Sequence, residues 1–217
     1  MSYNNYGNRF QRTNPIVLNL IIINGLIFIA QMFLDQSLDL TNKLALYPYD
    51  SGLFKPYQLV THMFAHGGIM HILFNMYALW MFGSVLERTW GPKRFLIFYL
   101  ICGLAAGIAQ TLLVHDSGVI DASGILRFPG AVGASGAIMG LLGAFGYLFP
   151  NTQFFIIPIP FPIKAKYLVA IVAAIDLFGG FHPGGADNIA HFAHLGGLVM
   201  GLLLVIIQNK TNKKTFY

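Results

Sequence analysis

The sequence predicts an all-α integral membrane protein that crosses the bilayer six times. Composition, six apolar stretches of about spanning length and a lopsided distribution of positive charge together carry that expectation. The chain has 217 residues, 56% hydrophobic and 10% charged, with a mean hydropathy of +0.64. Typical soluble domains are about 25% charged, so this chain lacks the charge to coat a water-facing surface, which argues against a soluble enzyme. The apolar content argues against disorder. Cys102 is the single cysteine and has no partner for a disulfide scaffold.

A spanning helix needs roughly 17–25 mostly apolar residues. The first candidate runs from Ile16 to Leu34. Its apolar run exceeds the roughly 7–15 residues of a signal-peptide core and no convincing cleavage site follows, so it reads as a retained anchor. Asp35 to Gly68 is too polar to span, and its prolines, aspartates and scattered aromatics suggest short helices at the interface. Further spans are expected over Ile69–Leu86, Phe95–Val114, Ala131–Phe149, Tyr167–Phe178 extending to Phe181, and Ile189–Gln208. No internal repeat of the transporter kind and no composition break marks a second domain. Residues 16–208 therefore read as one membrane domain between an N-terminal tail, 1–15, and a basic C-terminal tail, 209–217.

The charges test the count independently, because cytoplasmic loops collect Lys and Arg. With both termini inside, ten of the 13 basic residues fall inside and only Lys43, Lys55 and Arg127 outside. That asymmetry explains a pI near 9.4 without nucleic acid. With the lack of a transit peptide it suggests a bacterial cytoplasmic membrane, and the acid-free tail Met1–Pro15 leaves an organellar membrane as the lesser alternative.

Polar side chains at membrane depth are expensive, and three places carry them. Gly133-Ala134-Ser135-Gly136 opens the fourth span, where small neighbours let a substrate backbone approach the hydroxyl. Gly136, Gly140 and Gly143 continue at helical spacing and admit a close neighbour. Ala193-His194-Leu195-Gly196-Gly197, with Gly201, lies in the last span, and Gly197 and Gly201 form a ridge able to meet those glycines. His191, one turn earlier, competes with His194. His71 and Asn75 open the second span four residues apart, so they share a helix face. In the six-span topology all three places sit at the outer end.

A serine hydroxyl is a poor nucleophile unless a base takes its proton, and a neutral imidazole is cheaper to bury than a charge. His71 and Asn75 both carry donors of the kind a developing oxyanion requires. The acids nearest His194, Asp176 and Asp187, lie well before it. Asp176 reads as a structural pairing, so a Ser–His dyad is favoured over a triad.

These residues resemble the rhomboid family of intramembrane serine proteases. The likeness covers about Ile16 to Gln208 and rests on G-x-S-G at Gly133–Gly136, A-H-x-x-G-x-x-x-G at Ala193–Gly201, H-x-x-x-N at His71–Asn75, and Thr61-His62-Met63-Phe64-Ala65-His66. It implies a six-helix bundle with Ser135 as nucleophile, His194 as general base, and the Ser135 N–H, His71 and Asn75 around the oxyanion. It further implies cleavage of transmembrane protein substrates near their outer end, without cofactor or metal, and a loop around Phe178–Asp187 that caps the site. Two positions depart from the family pattern. Met139 stands where many members carry an aromatic supporting the base, and Tyr57-Gln58 stands where many carry Trp-Arg.

Other classes fit less well. A zinc protease needs H-E-x-x-H, and Met63 occupies the Glu position between His62 and His66. A transporter would place charges within spans or break its helices in matching halves. A catalytically inactive rhomboid-like binder or chaperone is the closest rival, although such proteins typically lose the serine or histidine that this chain keeps.

Overall fold

Helix α1, Pro15–Leu38, begins with a proline at its first position, where the missing N–H costs nothing and φ is already helical. The computed structural model of the protein describes residues 14–114, 119–120, 126–127, 130–155, 160–181 and 190–211. Most of both expected tails, residues 1–13 and 212–217, lies outside them. In α1 the soluble pattern is inverted: Leu18, Leu26, Met32 and Phe33 are exposed, whereas Asn24 and Gln31 are buried. Exposed apolar side chains of this kind suit lipid tails, while the buried Asn24 donates to its own helix at the Leu20 carbonyl and the buried Gln31 finds partners on other segments. The N-terminus of α1 is held by Glu87, whose carboxylate oxygens accept the N–H groups of Ile16 and Val17 at 3.0 and 2.9 Å.

The polar stretch that follows forms short helices, α2 (Leu40–Leu44) and α3 (Gln58–Thr61), with a single 3₁₀ turn, Tyr49–Ser51. Gln31 ties this loop to α1, donating to the His66 carbonyl at 3.1 Å and accepting the His66 N–H at 3.0 Å. The second expected span is one rod, α4 (Ile69–Ala78), a π-helical stretch Leu79–Gly83, and α5 (Ser84–Trp90). Then come α6 (Pro92–Leu113), a small hairpin of β1 (Val119–Ile120) and β2 (Leu126–Arg127), and α7 (Ser135–Leu148). A second antiparallel pair, β3 (Gln153–Phe154) with β4 (Ile163–Lys164), leads into α8 (Ala165–Phe181), and α9 (His191–Thr211) closes the described chain.

Among the described residues, four helices are long and apolar enough to cross a membrane: Pro15–Leu38, Ile69–Trp90, Pro92–Leu113 and His191–Lys210. The fourth and fifth expected spans are helices of 14 and 17 residues. The fourth starts at Ser135 rather than Ala131 because the residues before it are tied elsewhere. Ala131 exchanges both backbone hydrogen bonds with Leu46 at 2.8 and 2.9 Å, and the Gly133 N–H donates to the His62 carbonyl at 2.8 Å.

Helix α7 forms the centre, with every residue from Gly136 to Gly146 buried. It packs most extensively on α9. The approach is set by glycine: a Cβ on Gly197 would overlap the Gly136 carbonyl, and one on Gly201 the Gly140 carbonyl. The ridge read from the sequence thus meets the α7 glycines with backbone against backbone.

Candidate active site

Ser135 is the first residue of α7, with Ala134 as N-cap and no side chain capping the helix. First-turn N–H groups have no acceptor within their own helix, so the Ser135 amide stands at an open helix end beside its own hydroxyl. The preceding segment is braced by the Leu46–Ala131 bridge and the Gly133–His62 bond described above, which fixes where that end lies.

His194 lies one turn into α9, its N–H donating to the Ala190 carbonyl at 3.1 Å. The Ala193 N–H donates to Gln110 Oε1 of α6 at 3.2 Å. The glycine contact brings α9 against α7, and His194 Nε2 comes to 2.8 Å from Ser135 Oγ. The two side chains are 59 residues apart in sequence. His191 does not reach the serine; its Nδ1 lies 2.8 Å from Asp176 Oδ1.

Asp176 is paired, as the sequence reading expected, through His191, and it has a second partner that the sequence did not reveal. It sits on α8, 3% exposed, and the same Oδ1 also lies 3.0 Å from His194 Nδ1. Ser135, His194 and Asp176 therefore form one unbroken line of contacts. A separation of 18 residues, on another helix, hid this from the sequence. The usable signal was an acid within the apolar stretch Tyr167–Phe181, which needs a partner. Asp187 lies outside the described residues, as does most of the expected cap loop. Phe178–Phe181, where the expected fifth span and the expected cap loop overlap, complete the last turn of α8 as the span predicted, and Gly179 abuts the His191 ring so closely that a Cβ would overlap it.

His71 reaches the same corner. Its Nδ1 accepts the Gly67 N–H at 3.3 Å, so in the neutral ring the proton sits on Nε2. Gly133 has φ +127°, and a Cβ there would lie 2.8 Å from His71 Nε2 and 3.6 Å from Ser135 Oγ. Asn75 shares the His71 face, but its amide turns back on its own helix: Nδ2 donates to the His71 carbonyl at 2.9 Å. Its Oδ1 has no hydrogen-bond partner among the described residues.

His62 and His66 support the site from the loop. His62 Nδ1 donates to the Gln58 carbonyl at 2.7 Å, and burial lowers its pKa to about 4. His66 packs edge-on against His71, ring centres 5.2 Å apart. Met139, one turn below Ser135, is buried.

The chain matches the model of the Rhomboid domain over residues 54–210. It is 36% identical over 146 residues to rhomboid protease GluP of Bacillus subtilis (strain 168), covering 67% of this chain and 24% of that protein. It is 36% identical over 150 residues to RHOMBOID-like protein 4 of Arabidopsis thaliana, covering 68% and 33%. Rhomboid protease GlpG of Yersinia pestis (strain Pestoides F) is 26% identical over 206 residues, covering 94% and 66%. The chain thus spans from about a quarter to about two thirds of these relatives' lengths. The domain match takes in Ser135, His194, His71 and Asn75 together with most of the apolar helices; the chain is an integral membrane protein and belongs to the rhomboid family.

Proposed function

We propose that this protein is an intramembrane serine endopeptidase cleaving transmembrane protein substrates near the outer face of the membrane. One observation carries the reading: His194 Nε2 stands 2.8 Å from Ser135 Oγ, within the reach a base needs to take the serine proton. As that proton moves to Nε2, Oγ bonds to the scissile carbonyl carbon and the carbonyl oxygen becomes an oxyanion. Donors for it are the Ser135 N–H, His71 Nε2–H and the Asn75 amide. His194 then gives the proton to the leaving amine, and a water activated by the same imidazole releases the acyl group from Ser135. These steps call on no metal or cofactor.

In this reading the site lies among six membrane helices in a lipid bilayer, with both termini cytoplasmic in a bacterial cytoplasmic membrane; the uneven spread of Lys and Arg along the chain supports that orientation. Helix α7, with 14 residues, rises only about 21 Å at about 1.5 Å per residue, short of a hydrocarbon core about 30 Å thick. The proposal puts that shortfall at the N-terminus, so that Ser135 opens in a recess below the outer surface rather than at the interface. The brace from the first loop supports this placement, since backbone at that depth must find its partners within the protein.

The test is cleavage of a model transmembrane substrate by purified protein in detergent. Ser135→Ala and His194→Ala are expected to abolish it, while His191→Ala and a metal chelator leave cleavage measurable. Wild type that cuts no substrate and takes no serine-reactive probe at Ser135 would transfer the assignment to a non-catalytic binder.

A further inference from the structure

We propose that Asp176 is the positioning residue of the base, turning the Ser135–His194 pair into a Ser–His–Asp relay in which His191 holds the acid. The inference rests on the protease reading above and adds a third side chain to it. Three observations lead there. The Asp176 side chain is buried in α8, and its Oδ1 lies 3.0 Å from His194 Nδ1, on the side of the ring away from Ser135. The same Oδ1 lies 2.8 Å from His191 Nδ1. Met139 offers no hydroxyl one turn below the serine, so the ring that touches Ser135 takes its orientation from elsewhere.

The chemistry follows from what each atom can do. A carboxylate only accepts hydrogen bonds, and a neutral imidazole has one N–H. With Nδ1–H directed at Asp176, His194 Nε2 is left with its lone pair facing Ser135, and the serine O–H donates to it. This is the tautomer a base must have. When Nε2 takes the serine proton, the resulting imidazolium forms beside the negative charge of Asp176, which is buried and therefore acts more strongly than it would in open water.

His191 explains the geometry on the other side. Its Nδ1–H meets the same oxygen at 2.8 Å, and Gly179 leaves room for its ring, so the carboxylate is held from the His191 side as well as by His194. A tie between α8 and α9 needs only one of these two bonds. The second falls on the ring in contact with Ser135, which is where a purely structural pair has no reason to place it.

The test uses the full chain in detergent, with steady-state cleavage of a transmembrane substrate. Asp176→Asn keeps size and shape but presents an N–H₂ that favours the opposite His194 tautomer. Its kcat is expected to fall at least 100-fold, with KM within about threefold and an unchanged unfolding midpoint; loss of the matching aspartate in a Ser–His–Asp relay costs on the order of 10⁴. Asp176→Glu should recover part of the loss, and His191→Gln should cost less than tenfold. Histidine ¹⁵N spectra of the wild type read the tautomer without turnover: His194 should carry its proton on Nδ1, and on Nε2 in Asp176→Asn. Activity of Asp176→Asn within threefold of wild type would overturn the proposal, as would a wild-type His194 protonated on Nε2. A wild type that neither cleaves nor labels at Ser135 sinks the protease reading instead, and the spectra still decide whether Asp176 sets the tautomer.

Discussion

The His71 ring fills the space over Gly133 that any side chain there would occupy, with Nε2 2.8 Å and Cε1 2.9 Å from where a Cβ would stand. Gly133 also holds φ +127°, in a region that L side chains rarely adopt. Gly133→Ala should therefore displace His71 from Ser135 without touching either side chain. The expected cost is about 10²-fold or more in kcat, the scale for losing one oxyanion donor. His71→Ala should match it, and Asn75→Ala should cost less because its Nδ2 is already held by the His71 carbonyl. Cleavage kinetics on one transmembrane substrate rank the three.

The α7–α9 contact makes a second prediction, about stability. Gly197→Ala and Gly201→Ala each place a methyl on a backbone carbonyl of α7, which cannot rotate away as a side chain can. Overpacking of this kind costs about 1–3 kcal/mol, and it separates the helices that carry Ser135 and His194. Gly25→Ala, with nothing within 4 Å, is the matched control and should leave the unfolding midpoint in place or raise it. Thermal unfolding in detergent distinguishes them.

Burial of His62 makes stability depend on pH. Its pKa is about 4 in the folded protein, against about 6.5 for an unfolded histidine. Above pH 6.5 the ring is neutral in both states and changes nothing. As the pH falls from 6.5 towards 4 the unfolded chain takes up a proton that the folded one refuses, so stability is lost, by up to about 1.4 kcal/mol per pH unit. Unfolding midpoints measured across this window should drop with acid, and His62→Gln should flatten the drop.

Glu87 anchors α1 through two backbone N–H groups. Glu87→Ala leaves both without an acceptor at a partly buried helix end, a loss of roughly 1–3 kcal/mol for the buried Val17 N–H and less for that of Ile16. Glu87→Gln retains one carbonyl oxygen and should cost less. Protease susceptibility near Pro15, read beside the unfolding midpoint, would show whether α1 has come loose.

How far the sequence foretold this structure depended on what each feature rests on. Helices with a long apolar run were readable, because about twenty mostly apolar residues in a row leave an unmistakable composition. The meeting of Gly197 with Gly136 was readable too, since three- and four-residue spacing puts small residues on one face. Hydrogen bonds between distant segments were not: Glu87 on the end of α1, Gln31 on His66, and Asp176 on His194 each join stretches with no common local pattern. The start of α7 was misjudged by four residues for a similar reason, as the Leu46–Ala131 bridge that pulls residues 131–134 out of the helix forms with a partner far away in sequence.

The π-helical stretch Leu79–Gly83 sets the bearing of everything above it. A π turn holds more residues than an α turn, so it rotates one end of a rod relative to the other. His71 and Asn75 stand on the upper segment and Glu87 on the lower one. Deleting one residue from this stretch, and letting it relax to α-helix, would turn the upper segment by about 100° relative to the lower. The rod would still cross the bilayer and still cap α1, yet His71 would swing away from Ser135. The stretch works as an angular offset, matching the face that helix α5 shows its neighbours to the different face that α4 shows the serine.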